Sequence, residues 1–168
     1  MSEQDLWLEV KRIQALLDEL KTKDTPLYNI ICKCNNSITI SHTTTATWQA
    51  VALNTDIYDP LDMHNVSTNN TRVYLPYNGF YLISGGIAFA ANTTGIRAIG
   101  IRIDGSEFTL VQAMETSSYG ASSMNISGVA KVSANSYIEL MGYQNSGGAL
   151  DMTYVLSHSL FLTVIRIP

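Results

Sequence analysis

The chain has 168 residues, of which 46% are apolar and 14% charged, and its formal net charge is −4. This length suits one domain with a substantial core plus a short appendage. A chain of net negative charge with few Lys and Arg is not expected to bind nucleic acid. No run of 18 apolar residues predicts membrane insertion, and no signal peptide is recognisable, so we expect synthesis in the cytoplasm without export.

The charged residues are concentrated at the N-terminus, where residues 1–24 carry ten of the 24 charged side chains. Ser2 and Asp5 form a capping box at the start of a predicted helix, and Thr25-Pro26 ends it. Apolar residues follow at spacings of four and three, which favours a parallel three-stranded coiled coil over 1–25. A single amphipathic helix packed on its own domain is the alternative. The seam positions are Leu6, Val10, Ile13, Leu17 and Leu20.

Two further apolar residues, Trp7 and Leu16, flank this seam and widen it. They favour three helices over two, and they are candidates for docking the helix on another protein.

After Pro26 the pattern changes to period two, and residues 26–45 are predicted to form a neck or linker with short strands. The two cysteines of the chain, Cys32 and Cys34, lie in this stretch. On a strand they share a face but are poorly spaced for a disulfide with each other. Two buried thiols, a metal cluster on a three-fold axis and a disulfide between chains remain as alternatives.

From residue 46 onward, apolar strands alternate with loops rich in Asn, Gly, Ser and Asp. Many short strands without an intervening helix predict a β-sandwich or jelly roll. Asp104-Gly105 predicts a tight hairpin. The predicted strands are 46–53, 71–75, 80–90, 97–104, 107–114, 122–132, 136–144 and 155–167.

The turn Pro76–Gly79 leads into the most regular of these strands. Phe80, Leu82 and Ser84 are predicted to point to one face of the sheet, and Tyr81, Ile83 and Gly85 to the other.

Taken in order, several of these segments resemble the globular heads of the complement 1q/tumour necrosis factor group. The resemblance covers roughly residues 46–168. Ala52 and Leu53 stand where many animal members carry phenylalanine, which makes the chain more similar to the bacteriophage branch. The matching segments are 47–53, 54–59, 63–67, 69–75, Pro76–Gly79, 101–106, 137–148 and 159–167.

The resemblance implies an all-β jelly-roll head at 46–168 on a short trimeric coiled coil, and a homotrimer with the last strand near its three-fold interface. It also implies a location on a virion surface, in a tail, a fibre or the capsid. Two hypotheses follow. The protein attaches the virion to a bacterial surface glycan or protein, or it is a head-fibre or decoration protein docked on another virion protein through its N-terminal helix.

No motif in the sequence predicts an enzyme or a bound cofactor. The three aspartates of one acidic loop, Asp56, Asp59 and Asp62, are weak candidates for Ca²⁺ ligands, and a solvated acidic loop is the alternative. Tyrosines in or beside loops are candidates for ligand contact, because tyrosine offers amphipathic area at low entropic cost. These tyrosines are Tyr58, Tyr77, Tyr119 and Tyr154.

Overall fold

A computed structural model describes residues 3–23, 30–42, 46–106, 108–116, 120–154 and 159–168. The predicted helix is confirmed as α1, Glu3–Lys23, and no helix in these ranges is long and apolar enough to span a membrane. The strands of the described chain are β1 Ile31–Asn35, β2 Thr47–Ala50, β3 Thr55–Tyr58, β4 Arg72–Tyr74, β5 Gly79–Phe89, β6 Ile96–Ile103, β7 Phe108–Glu115, β8 Ser122–Val132, β9 Tyr137–Gln144 and β10 Phe161–Ile167.

The first sheet has the strand order β3-β1-β10-β5-β8, and each of its pairs is antiparallel. The last strand of the chain, β10, lies at its centre between β1 and β5. The long β5 pairs with β8 over its whole length, from Gly79 opposite Val132 to Phe89 opposite Ser122. A long, regular pair of this kind gives the sheet a well-defined outward face.

The second sheet has the order β2-β9-β6-β7, and β4 also pairs with β9. Thr47 to Ala50 pair with Gln144 to Met141, whereas Arg72 to Tyr74 pair with Glu139 to Tyr137. The two short strands β2 and β4 therefore lie end to end along β9.

The core lies between the two sheets and is built from alternate residues of their strands. From the first sheet, Tyr81, Ile83, Leu162 and Val164 are fully buried, and from the second, Ile99, Ile101, Ile138 and Leu140. The predicted alternation of β5 is confirmed, because Tyr81 and Ile83 are buried whereas Phe80 and Leu82 are exposed. The predicted all-β jelly roll with one N-terminal helix is thus what the chain forms.

The predicted hairpin at Asp104-Gly105 is confirmed. Both residues have positive φ angles, 52° and 67°, which a type I′ turn requires of its two central residues. Ser106 closes the turn with a hydrogen bond of 3.0 Å from its amide to the carbonyl of Ile103.

Two strands depart from the sequence predictions. The segment Thr55–Tyr58 was predicted as a loop but forms the edge strand β3, and all four of its residues are exposed, so no apolar alternation marks it. Ile31–Asn35 was predicted as part of a neck, but it lies inside the first sheet between β3 and β10. The head therefore begins before residue 46; the other domain boundaries stay predictions.

Candidate functional site

The first sheet presents an apolar surface on the side away from the core. On β5 and β8, Phe80 and Leu82 lie opposite Lys131 and Val129, and on β10 Ile165 lies opposite Leu82. Alternate residues of these strands share one face. We call this surface the apolar sheet face. It is formed by Ile31, Phe80, Leu82, Val129, Ile165 and Ile167.

Large side chains on this face are left open to solvent. Phe80 is 53% exposed, Leu82 39% and Val129 54%. Towards the other end of the same strands the face turns polar, with Ser84 paired with Thr163 and with Ser127. Soluble monomers rarely expose contiguous apolar patches of more than a few hundred Å². The face therefore has the character of a surface that another protein covers.

Further along this side, the backbone of the face is closely covered. A Cβ added at Gly86 would collide with the ring of Phe161, so glycine is needed where that ring covers the strand.

The predicted coiled-coil seam on α1 is also open to solvent. Leu6, Val10, Ile13 and Leu17 are 44–56% exposed. The side chain of Leu20 lies outside the described residues. These exposures fit a helix whose apolar stripe awaits partner helices, but the coiled coil itself stays a prediction.

The two flanking positions on α1 are exposed as well. Trp7 is 63% exposed, Leu16 is 50% exposed, and Lys11 lies 4.0 Å above the Trp7 ring. The flank of the helix therefore has an exposed apolar surface, and its role in docking on another protein stays a prediction.

The outward face of the second sheet carries a buried carboxylate between two arginines. Glu139 is only 3% exposed and accepts hydrogen bonds from Arg102 Nη2 at 2.8 Å and from Arg72 Nε at 3.3 Å. Thr71 adds a hydroxyl donor at 3.3 Å. Hydrogen bonds to Tyr74 and Glu139 raise the pKa of Arg72. This network pairs the buried charge of Glu139 within the sheet.

Beside this network, aromatic rings pack on one another. Trp48 lies 4.3 Å from Phe108 and 5.4 Å from Tyr143, measured between ring centroids. A Cβ at Gly100 would lie 2.7 Å from Phe108, so the glycine makes room for the rings. Unlike the side chains of the apolar sheet face, these aromatic rings are packed against one another within the same chain.

The predicted tyrosine sites do not form one cluster in the described residues. Tyr58 is 49% exposed on β3, where it lies opposite Lys33 at the border of the apolar sheet face. The ring of Tyr77 lies 5.7 Å from the Arg166 guanidinium. Tyr154 is exposed, and Tyr119 lies outside the described residues.

Two of the three candidate calcium ligands are used in other ways. The Asp59 carboxylate accepts hydrogen bonds from the amides of Met63 at 3.0 Å and His64 at 2.8 Å. Asp56 lies 2.5 Å from Nδ1 of His64, and Asp62 faces a separate small pocket. No group of three or more His, Cys, Asp or Glu side chains suited to a metal occurs among the described residues. The predicted Ca²⁺ set is thus not assembled, because two of its carboxylates fix the loop.

His64 follows the three aspartates in the sequence, but the sequence did not predict its contacts. It is 5% exposed, and its second ring nitrogen lies 3.1 Å from the carbonyl of Asn70. The ring therefore joins Asp56 on the edge strand β3 to the far end of the same loop.

Both cysteines are free and buried on the core side of β1. A hydrogen bond with Cys32, followed by burial, raises the pKa of the Cys34 thiol above its ordinary value of 9.0. Cys34 also donates weakly to the carbonyl of Leu162 at 3.7 Å. The thiols lie inside the fold, in the position expected of core residues.

Arg97 is the largest fully buried side chain of the described residues. It donates to the carbonyls of Thr94 and Ile96 at 3.0 and 2.9 Å, and burial lowers its pKa. These bonds involve Nη1 and tie the loop before β6 to the end of the sandwich, whereas the buried Nε has no partner among the described residues.

Two facing antiparallel sheets in this order define a jelly roll of the complement 1q/tumour necrosis factor type, and solved structures share it. Murine APRIL matches with a TM-score of 0.62 and 11% identity, over 82% of this chain and 98% of that chain. Eiger TNF from S. frugiperda matches with a TM-score of 0.56 and 12% identity, over 83% and 92% of the two chains.

The globular domain of zebrafish complement 1qA matches with a TM-score of 0.54 and 10% identity, over 82% of this chain and 97% of that chain. No protein-family model matches the sequence, and no curated protein matches it. At these identities the likeness shows the fold alone.

Proposed function

We propose that the protein is a non-enzymatic homotrimer on the surface of a bacteriophage virion, where its jelly-roll heads attach the virion to the host cell. The observation that carries the proposal is the apolar sheet face. It leaves Phe80, Leu82 and Val129 between 39% and 54% exposed on the sheet that contains the last strand. The resemblance of the sequence to phage heads supplies the biological setting.

Three copies would cover this face by turning it towards a common axis. The face of one copy packs against its neighbours, and the ring closes after three contacts of the same kind. Stable interfaces between identical chains are rich in apolar residues at their centre and polar at their rim. Leu82 and Val129 lie opposite each other on the face, and Lys131 lies beside Phe80 towards its border, which fits that arrangement.

The N-terminal helices would then form a short stalk. Three chains associated by their heads bring three copies of α1 close together, which raises their effective concentration. The helix has 21 residues, a length at which an isolated helix in water is only partly formed. Packing of the Leu6, Val10, Ile13 and Leu17 seam would complete it.

Attachment fits a trimer because three weak sites on one rigid body gain avidity on a repetitive surface. A bacterial surface glycan or protein offers such repetition. In this arrangement the heads recognise the cell and the stalk connects them to the virion.

A second candidate function is a head-fibre or decoration protein of the capsid, docked through α1. The exposure of Trp7 and Leu16 beside the seam is compatible with it, because apolar flanks that widen a three-helix seam can also contact another virion protein. The two candidates differ in where the protein lies on the virion and in whether it binds cells.

Light scattering on the purified full chain tests the assembly. We expect a mass three times the 18.4 kDa of the chain at micromolar concentration. A mass of 18.4 kDa at that concentration contradicts the homotrimer.

Electron microscopy of intact virions labelled with antibody against the full chain tests the location. Label at the tail tip or fibre ends, together with binding of the purified trimer to host cells, supports attachment. Label spread over the capsid without cell binding supports the decoration role instead, and virions that carry no label contradict both.

A further inference from the structure

A small pocket opens at one end of the sandwich, between the loop before β4, the end of β4 and the turn between β8 and β9. Its volume is about 230 Å³. Pockets that hold drug-sized ligands are larger, roughly 300–1,000 Å³, so this one suits a single ring. It is lined by Leu61, Asp62, Met63, Tyr74, Leu75, Pro76 and Asn135.

The floor of the pocket is apolar and its rim is polar. Its accessible apolar surface comes from Leu61, which is 38% exposed, and from Pro76, while Met63 and Leu75 are buried beneath it at 2% and 0% exposure. Asp62 and Asn135 are exposed at the rim, and within the described chain neither side chain has a hydrogen-bond partner. Tyr74, 39% exposed, also lines the pocket, and its ring lies 5.8 Å from that of Tyr137. One carboxylate and one amide thus converge on an apolar recess with their hydrogen-bonding capacity unused.

The walls of the pocket are held in place by hydrogen bonds of backbone amides. The Asp59 carboxylate binds the amides of Met63 and His64, and the amide of Tyr74 donates to the carbonyl of Met63 at 2.7 Å. On the other side, the amide of Asn135 donates to the carbonyl of Leu75 at 2.7 Å. A recess fixed in this way loses little entropy when a ligand enters.

We propose that this pocket binds one neutral pyranose ring of a bacterial surface glycan. A pyranose has an apolar face of C–H groups and an edge of neighbouring hydroxyls. The apolar face suits the exposed apolar lining of Leu61 and Pro76, and the hydroxyl edge suits the Asp62 and Asn135 side chains. The negative charge of Asp62, with no cationic side chain in the lining, disfavours phosphorylated or acidic sugars.

This inference rests on the proposed attachment function and names its binding site. It also changes the predicted contact residues: Tyr74, which was not among the predicted tyrosines, lines the pocket. Asp62, predicted as a calcium ligand, becomes a sugar ligand.

Saturation-transfer NMR on the full-length protein tests the pocket directly. The probes are the methyl pyranosides of glucose, galactose, mannose and N-acetylglucosamine, with free glucosamine as a cationic probe. We expect transfer to at least one neutral pyranoside, strongest at its C–H face.

Two variants remove the polar rim without straining the backbone. Asp62 and Asn135 have positive φ angles of 51° and 64°, which asparagine and glycine tolerate. Asp62→Gly and Asn135→Gly are each expected to weaken binding by about tenfold, since each removes a side chain that hydrogen-bonds the sugar. Asn69→Gly is the matched control, because Asn69 is exposed with a φ of 52° and lies outside the pocket lining.

Three results overturn the inference. The first is no saturation transfer to any neutral pyranoside, and the second is transfer in both pocket variants as strong as in the wild type. The third is transfer to glucosamine alone, which would make the pocket a cation site. Binding of the same proteins to host cells separates this inference from the attachment function. Cells bound equally well by wild type and both variants leave attachment standing and reject the pocket. Sugar binding in the pocket by a protein that binds no cells supports the pocket and rejects attachment.

Discussion

The outward faces of the two sheets differ in how fully their side chains are paired or packed within one chain. On the second sheet, the buried Glu139 is bound by Arg102 and Arg72, and Trp48 is packed by neighbouring rings. On the first sheet, Phe80 and Val129 are more than half exposed. The second face pairs its polar groups and packs its aromatic rings within one chain, whereas the first leaves several neighbouring apolar side chains open to solvent.

This difference assigns the two faces different tasks. Polar groups that pair within the sheet have no need of a partner, and their desolvation has already been compensated during folding. An exposed aliphatic face gains free energy only when another surface covers it. We therefore expect assembly to depend on the first sheet and subunit stability on the second.

Two valines offer a direct test of this division. Val129 on β8 is 54% exposed on the apolar sheet face, and Val111 on β7 is 53% exposed on the outward face of the second sheet, opposite Gly100. Val129→Glu is expected to weaken trimer assembly by at least about 100-fold, because an unpaired carboxylate would be buried in each contact. Light scattering over a dilution series measures the change.

Val111→Glu is the matched control and should leave the mass unchanged. Equal effects of the two substitutions would contradict the assignment of assembly to the first sheet. Circular dichroism of both variants establishes that the subunits remain folded, which is expected because both positions are exposed.

The network on the second sheet predicts a loss of subunit stability. Glu139→Gln leaves Arg72 and Arg102 without their shared carboxylate, and both arginines are partly exposed, with side chains 34% and 28% accessible. We expect the free energy of unfolding to fall by about 2 kcal/mol, less than for a fully buried pair because solvent screens the arginines. Urea denaturation at fixed protein concentration measures it. Glu115→Gln on the exposed edge strand β7 should change stability by less than about 0.5 kcal/mol, and a similar loss in both variants would argue against the network.

The core behind the apolar sheet face predicts sensitivity to alkali. Because the pKa of Cys34 is raised in the folded chain, the folded state keeps a proton that the unfolded state releases above pH 9.0. The contribution of Cys34 to the free energy of unfolding is therefore fully present below this pH. It is lost as the pH rises, by up to about 1.4 kcal/mol per pH unit. Denaturation curves at pH 8 to 10.5 should show a shallower decline for Cys34→Ala. Val164→Ala removes buried atoms from the same sheet but no titrating group, so its decline should match wild type, and a slope unchanged in Cys34→Ala would refute the prediction.

The sequence predicted the elements that are marked by local chemistry. The helix has a Ser-x-x-Asp capping sequence and an apolar stripe, β5 alternates over residues 80–83 after a proline–glycine turn, and Asp104-Gly105 has the composition of a type I′ turn. Each of these signals lies within a few residues of the feature that it specifies. The fold class followed because their order resembles that of known heads.

What sequence reasoning missed depends on register between distant strands. Glu139 meets Arg72 and Arg102 only because β4, β9 and β6 pair in one particular alignment. The contact of His64 with Asp56 likewise depends on how a loop folds back on an edge strand. The edge strand β3 was missed because it buries no residue and so shows no alternation. Such features are set by tertiary pairing, which single-sequence patterns do not contain.

We expect substitutions in the helix to have the smallest effect on assembly, because we assign the trimer contact to the apolar sheet face. Ile13→Asp combined with Leu17→Asp puts charges into a seam of barely two heptads. Since we propose that the apolar sheet face holds the trimer, we expect the mass of three chains to persist while helicity at 222 nm falls towards that of an isolated helix. The control is Leu8→Asp with Ala15→Asp, at exposed positions that face away from the seam. If the seam variant dissociates into single chains, the helices and not the apolar sheet face hold the trimer; if neither pair changes the helicity, α1 does not form a coiled coil.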